Sequence, residues 1–378
     1  MTTIRLPKRV MPRDGESLGG LIERIAAEHG SKVTTLTEAA GVGYWGNPIK
    51  RASYVVVTDE EERLLAAATR LPREVIRATT LRAYEPILTS TNGSPKLGKA
   101  VRTSQADHRR RKWCPACLAE PEGTWLLHWH LALTVACLRH GCLMAARCAM
   151  CGEHPSAIVN SRPGERLCPY NTRRGARCLA PLAQTSTLPA PRRVLDAQRR
   201  LHLAVTTGTA EITGVHMPVS ALVGTVTFIA VQMVVLRMSP FMSLLTEMAG
   251  THQLPPEVSP GSPLDTGRPP SSGDQKRHGF MVMRHEPIVA AAAITAATEA
   301  VCGDGWAMRL LAYTAEHTVA TSAHGLRNPL MALPEQMRGL LRDGARRQAD
   351  LAGRLSGAPP MLRPHSQVWA AANSPAQQ

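Results

Sequence analysis

The most specific chemistry in this sequence is carried by its cysteines. Eight of the nine lie between Cys114 and Cys178. Three ligand pairs in this stretch have two residues between the partners: Cys114 with Cys117, Cys137 with His140, and Cys148 with Cys151. A two-residue gap lets a tight turn present both side chains to one tetrahedral ion, which is the arrangement of structural zinc. The spacing therefore predicts a zinc-stapled module in the middle of the chain.

The first predicted site combines the first two pairs, Cys114, Cys117, Cys137 and His140. Nineteen residues separate the pairs, a distance within the range of zinc ribbons. Four protein ligands leave no open coordination position, so this zinc is expected to be structural rather than catalytic. The neighbouring Cys142 is expected to be a small buried side chain and not a ligand.

A second predicted site joins Cys148 and Cys151 to Cys168 and Cys178. Nine residues lie between the last two cysteines, so their pairing is less regular, and His154 is an alternative to either of them. The cysteine pattern as a whole predicts two structural zinc ions per chain.

The charge of the chain indicates what kind of partner it binds. It carries 44 Lys and Arg against 29 Asp and Glu, a net charge of +15, and its pI is near 9.9. Such a surplus favours nucleic acid first and an anionic membrane second, although free use of Arg by a high-GC genome would also produce it. A basic run at 96–112 is either a solvated loop or a phosphate-binding segment. The candidate nucleic-acid contacts are the cations nearest the cysteines: Arg109, Arg110, Arg111, Lys112, Arg173 and Arg174.

The elements that precede the cysteines are predicted to be helices. Apolar residues recur at helical spacing from Leu18 to Ile25. A second helix is predicted at Val33–Ala40, and Gly41 after it resembles the turn of a helix-turn-helix, with a plain helix hairpin as the alternative. Thr58 with Glu61 has the spacing of a capping box, so a further helix is expected to begin there.

The whole pattern predicts a mainly α, multi-domain chain with little β-structure in the zinc module. Within the C-terminal part, Val219–Leu236 has no formal charge and is near the length of a membrane span, but its polar residues favour a buried core helix. The predicted parts are a helical N-terminal domain at 1–95, the basic run and two-zinc module at 96–187, a helical C-terminal domain at 188–250 and 280–355, a disordered insertion at 251–279 and a disordered tail at 356–378.

The start of the chain and its cysteines predict where the protein is found. No apolar run follows the first charges, as it would in a secretory signal peptide. The cysteine total is odd and the spacings are those of metal ligands, and both features suit a reducing compartment. We therefore expect a cytoplasmic, nucleoid-associated protein with no membrane partner.

Several motifs resemble one known family. The chain reads Trp113-Cys-Pro-Ala-Cys-Leu-Ala-Glu120, then Cys137-Leu-Arg-His-Gly141 and Cys148-Ala-Met-Cys-Gly152, and it has Glu16-Ser-Leu18 near its start. Over about residues 10–155 these motifs resemble the TniQ family, which includes TnsD-like proteins. The resemblance implies an accessory transposition protein that connects target DNA, or an RNA-guided nucleoprotein, to an AAA+ ATPase regulator. It also implies metal ligation by the matching residues, which are Cys114, Cys117, Cys137, His140, Cys148 and Cys151.

The leading hypothesis is therefore a non-enzymatic target-selection adaptor of DNA transposition, bridging target nucleic acid or nucleoprotein to an AAA+ regulator. The alternative is a zinc-containing transcription regulator that reads DNA through its N-terminal helices. Action as a homodimer stays open. An enzyme is not expected, because the sequence has no His-Glu-x-x-His motif and no compact acidic cluster for two metal ions.

Overall fold

The computed structural model describes residues 5–42, 57–88, 112–155, 166–168, 170, 175–212, 215–235, 238–250, 282–283, 286–303 and 339. The chain divides into two units, Met1–Arg200 with Val282–Ala291, and Leu201–Met281 with Ala292–Gln378. The insertion predicted at 251–279, the tail predicted at 356–378 and the part of the predicted helical C-terminal domain after residue 303 lie outside the described residues, apart from Gly339, which is helical.

The first unit begins with two helices, α1 at Leu18–Glu28 and α2 at Val33–Ala39. The hydroxyl of Ser17 accepts a hydrogen bond from the amide of Gly20 at 3.3 Å, and this N-cap fixes where α1 begins. The predicted apolar stripe, Leu18, Leu21, Ile22 and Ile25, is buried in the core.

Gly41 follows α2 with a φ of +77°, a conformation that glycine adopts without strain. The residues that would form the next helix of a helix-turn-helix, 43–56, lie outside the described residues. The helix-turn-helix therefore stays a prediction.

A second group of helices completes this helical part, and it begins with the predicted capping box. The side chain of Thr58 accepts from the amide of Glu61, and the carboxylate of Glu61 accepts from the amide of Thr58 at 2.8 Å. The elements that follow are α3 at Asp59–Thr69, α4 at Arg73–Ala78, a 3₁₀ turn at Leu81–Tyr84 and α5 at Glu85–Leu88.

In the described residues of the cysteine-rich stretch there is little β-structure, as predicted. Its strands β1 and β2 form an antiparallel pair in which Cys137 lies opposite Cys142. The elements are α6 at Pro115–Ala119, a 3₁₀ turn at Leu127–His130, β1 at Ala136–Cys137, β2 at Cys142–Leu143 and a 3₁₀ turn at Leu182–Gln184. Such short elements cannot bury a large apolar face, so this part needs a further source of stability.

The helix α7 runs over Arg192–Thr207, and its residues up to Arg200 belong to the first unit. Its buried Gln198 side chain accepts hydrogen bonds from the amides of Val135 at 2.8 Å and Ala136 at 3.2 Å. These bonds fasten the helix to the strand that ends in Cys137.

The described residues of the second unit form helices and a short hairpin. The strands β3 at Thr209–Ile212 and β4 at Val215–Pro218 pair antiparallel. This hairpin was not expected, because an alternation of two exposed and two buried residues is too short to distinguish from loop. The helices of the unit are α8 at Val219–Val235, α9 at Ser239–Ala249 and the part of α10, Pro287–Cys302, that follows Ala291.

The apolar run in α8 has most of its side chains buried within the protein. Among the described helices, none is by itself long and apolar enough to cross a membrane. Taken together, α8 and α9 are long and apolar enough for a candidate membrane span by length and composition, but the two helices are bent by 79° relative to each other.

Candidate metal centre

The first knuckle is built by a short helix whose cap is itself a cysteine. The Cys114 side chain is the N-cap of α6 and accepts a hydrogen bond from the amide of Cys117 at 3.5 Å. Pro115 at the first helical position has no amide hydrogen to leave unpaired, so it suits this start. The tight turn therefore points both sulfurs to the same side.

The second knuckle is the turn between β1 and β2. The amide of Gly141 donates to the carbonyl of Cys137 at 2.9 Å, and Gly141 has a φ of +59°. A side chain other than glycine would be strained in that conformation. The turn lifts the ring of His140 back over Cys137, which lies three residues before it.

These two knuckles bring the first predicted ligand set together. The Nδ1 atom of His140 lies 3.4 Å from the Cys114 sulfur, 3.2 Å from that of Cys117 and 3.6 Å from that of Cys137. The sulfurs of Cys117 and Cys137 are 3.6 Å apart. A tetrahedral zinc with bonds of about 2.3 Å to sulfur and about 2.0 Å to nitrogen places ligand sulfurs about 3.8 Å apart and nitrogen about 3.5 Å from sulfur. The donor set therefore fits zinc in both type and spacing.

The electrostatics of the three thiols point to a cation as well. Hydrogen bonds from Cys114 and Cys117 hold the pKa of the Cys137 thiol far below its usual range. Hydrogen bonds to Cys117 and Cys137, together with burial, raise the pKa of the Cys114 thiol far above its usual range. Once one sulfur is charged, its neighbours resist ionisation, and a divalent cation removes that conflict because it stabilises all three thiolates.

The carboxylate of Glu120 lies beside the ring of His140, on the side away from the sulfurs. His140 turns Nδ1 towards the sulfurs, so its other ring nitrogen, Nε2, is left to carry the proton. That nitrogen lies 3.2 Å from Oε1 of Glu120, and Oε2 of the same carboxylate lies 2.8 Å from Nη1 of Arg139. Sequence reasoning missed Glu120. Its signals in the sequence are its place at the end of the motif that begins at Trp113 and its position three residues after Cys117, where many sequences have an acid by chance.

Cys142 lies closer to this site than the sequence suggested. It is half-buried rather than fully buried, and its sulfur is 3.6 Å from that of Cys114. The cluster whose ligand atoms all lie within 4.8 Å of one another contains His140 and not Cys142. The thiol is therefore a neighbour of one ligand.

The second predicted set is also brought together. The sulfurs of Cys148 and Cys178 are 3.7 Å apart, those of Cys151 and Cys168 are 3.6 Å apart, and all four lie within 4.8 Å of one another. The alternative ligand His154 lies outside this cluster, with its Nδ1 atom 2.9 Å from the carbonyl of Ala146. The donor set is four thiolates in a closed arrangement, which is typical of structural zinc.

Backbone pairing explains how two distant cysteines reach the second knuckle. The amide of Cys168 donates to the carbonyl of Ala180 at 2.8 Å, and the amide of Cys178 donates to that of Tyr170 at 2.7 Å. The two cysteines therefore lie on adjacent arms of one hairpin-like loop. On the other side of the site, Gly152 closes the Cys148 knuckle with a bond to its carbonyl at 2.9 Å.

The two sites are parts of one structure. The indole of Trp113, which is fully buried, donates to the carbonyl of Leu182 at 3.0 Å. The guanidinium of Arg166, two residues before Cys168, donates to the carbonyls of Leu118 and Gly123 beside the first knuckle. Loss of structure at one site would therefore remove hydrogen bonds that hold the other site in place.

A buried carboxylate joins this module to the N-terminal helices. Glu16 is 1% exposed and receives two bonds from the guanidinium of Arg24, at 2.8 and 2.6 Å, and one from the hydroxyl of Thr124. Beside it, the amide of Ser17 donates to the carbonyl of Trp125 at 2.8 Å. The segment between the two ligand pairs is thus bound to the start of α1.

Among the candidate nucleic-acid contacts, Lys112 is the one that the structure describes. Its ammonium donates to the carbonyls of Leu131, Ala132 and Thr134 at 2.8, 3.2 and 2.5 Å. Three such bonds use the three N–H donors of an ammonium. The other candidates, Arg109, Arg110, Arg111, Arg173 and Arg174, lie outside the described residues.

Comparison with known proteins gives one family match, to the N-terminal part of the chain. Residues 7–144 match the TniQ family model, a segment that contains all four residues of the first cluster and none of the second. A search of curated protein sequences found no match. Over residues 7–144 this chain is therefore similar to the TniQ family, whose members have accessory roles in transposition.

Proposed function

We propose that this protein is a non-enzymatic adaptor of DNA transposition that bridges target nucleic acid, or a nucleoprotein, to an AAA+ regulator. The observation that carries the proposal is the TniQ match over residues 7–144, which encloses a four-ligand cluster suited to zinc. An ion held by four protein ligands has no position for a substrate or an activated water. The metal would thus shape the scaffold and take no part in a reaction.

The acidic residues of the N-terminal helices support a role without catalysis. Glu60 pairs with Arg63, and Glu61 completes the capping box of α3. Glu62 is 1% exposed and lies 3.1 to 3.3 Å from three guanidinium groups, those of Arg73, Arg77 and Arg82. Each of these carboxylates has a structural partner, whereas a two-metal hydrolytic site needs carboxylates directed at a shared pair of ions.

Bridging requires two surfaces that keep a constant relation to each other. Glu16 accepts hydrogen bonds from Arg24 and from Thr124, and these bonds make one body of the N-terminal helices and the metal module. The net charge of +15 supports a polyanionic partner on one surface, and the AAA+ regulator would occupy another. The expected location is the cytoplasm, at the nucleoid.

The experiment is a pair of binding measurements on the full-length, zinc-loaded protein. We expect it to retain duplex DNA at about 50 mM salt, to lose it steeply as salt rises, and to capture a purified AAA+ regulator from the same genetic element. Failure of both interactions would overturn the proposal. A footprint on one defined operator, with no AAA+ binding, would favour the transcription regulator instead.

A further inference from the structure

The outward face of α7 carries four arginines and one acid. The side chains of Arg192 and Arg199 are 94% and 57% exposed, and Arg193 and Arg200 are exposed as well. With 3.6 residues per turn, the four arginines fall within a sector of about 120°. Four positive charges and the single negative charge of Asp196 give this face a net charge of +3.

The position of these arginines is unfavourable for the helix itself. Arg192 and Arg193 are the first two residues of α7, where the helix dipole favours acidic side chains. Asp196 partly offsets this cost because it pairs with Arg199 and lies 3.8 Å from Arg192. An exposed helix selected only for stability would carry acids in its first turn.

The opposite face of the helix is fastened to the metal module. Val194 is fully buried, and Gln198 accepts from the amides of Val135 and Ala136, next to the ligand Cys137. Just before the helix, the amide of Ala190 donates to the carbonyl of Gly141 in the second knuckle at 2.8 Å. The first metal site therefore holds the arginine face in a fixed orientation.

We propose that this face of α7, Arg192, Arg193, Arg199 and Arg200, binds the phosphate backbone of duplex DNA. The inference rests on the proposed function and names the surface that meets the nucleic acid. Residues 192 to 200 span about 12 Å, and a duplex carries one charge per about 1.7 Å of its axis, so several phosphates lie within reach. Guanidinium groups bind phosphate through paired hydrogen bonds, and such contacts carry no sequence preference.

The test is fluorescence anisotropy of a labelled duplex with the full-length, zinc-loaded protein over a range of salt concentrations. The double variant Arg192→Gln/Arg199→Gln should lower the slope of log affinity against log salt by about two. The control Arg5→Gln/Arg63→Gln removes the same charge from exposed positions in the N-terminal part and should leave the slope unchanged. Zinc content and circular dichroism verify that each variant is folded.

A second variant is expected to bind DNA more tightly, a result that misfolding would not produce. Asp196→Asn removes the one negative charge from the face, so DNA affinity should rise severalfold at low salt. If the arginine variant and Asp196→Asn both bind DNA as the wild type does, the inference fails while the proposed function stands. Loss of AAA+ binding with unchanged DNA binding would make the face a protein-binding surface. Absence of any DNA binding by the wild type would overturn both.

Discussion

Replacement of Glu120 tests whether the first site binds a metal and whether this carboxylate strengthens the binding through His140. The carboxylate lies 3.2 Å from Nε2 of His140 and is held by Arg139. When the ring binds a metal through Nδ1, this partner fixes the orientation and tautomer of the ring and raises its basicity. Glu120→Gln keeps a neutral acceptor but removes the charge, and Glu120→Ala removes the acceptor as well.

The expected magnitude follows from the exposure of the pair. Loss of such a partner costs about 10- to 100-fold in metal affinity, and each tenfold is about 1.4 kcal/mol. The side chains of Glu120 and His140 are 28% and 25% exposed, so water screens the interaction. We therefore expect about tenfold weaker zinc binding for Glu120→Gln and a larger loss for Glu120→Ala.

The assay is competition between the loaded protein and a chromogenic zinc chelator. One of the two ions should leave at lower chelator concentration in the Glu120 variants, while the ion of the four-cysteine cluster serves as an internal reference. Glu122→Gln changes an exposed carboxylate two residues away and is the matched control. Equal zinc affinity in Glu120→Gln, Glu120→Ala and Glu122→Gln would refute the reasoning.

Three further outcomes are expected. Elemental analysis should find two zinc ions per chain, and Cys114→Ser or Cys148→Ser should each lower that number, because each removes a ligand from a closed site. Glu62→Gln should lower the free energy of unfolding in urea by about 1–3 kcal/mol, since it removes the charge of a buried acceptor beside three arginines. Gly123→Ala should lower the free energy of unfolding in urea by about 1–3 kcal/mol, because the new Cβ would overlap the carbonyl oxygen of Cys117. The same variant should also release zinc at a lower chelator concentration.

Sequence reasoning succeeded where the structure depends on local geometry. A pair of ligands with a two-residue gap and a Thr-x-x-Glu capping box each involve residues only three positions apart. Both can therefore be recognised from the local sequence alone. The predicted helix start at Thr58 is present for this reason. The motif at Glu16 was recognised only because it resembles a known family. The structure gives the physical role of this residue, which accepts two buried hydrogen bonds from Arg24.

The β3–β4 hairpin and the role of Lys112 could not be predicted in the same way. The hairpin has only four residues per strand, which gives too little alternation to recognise. Lys112 ends a basic run, so its type favours phosphate binding, yet carbonyls 19 to 22 residues away along the chain surround its ammonium. Contacts across that distance depend on how the chain turns back, which no local pattern records.

The sequence alone determined that this chain carries two sets of metal-type ligands and a surplus of positive charge, because residue types and short spacings are sufficient for both conclusions. The tertiary structure decided which cysteines complete the second set. Pairing of Cys168 with Ala180 brings that cysteine and Cys178 to the knuckle, while His154 is directed at a carbonyl. It also placed Glu120 behind His140 and fixed an arginine-rich helix on the first site. These arrangements join residues that are distant in sequence, and only packing brings them together.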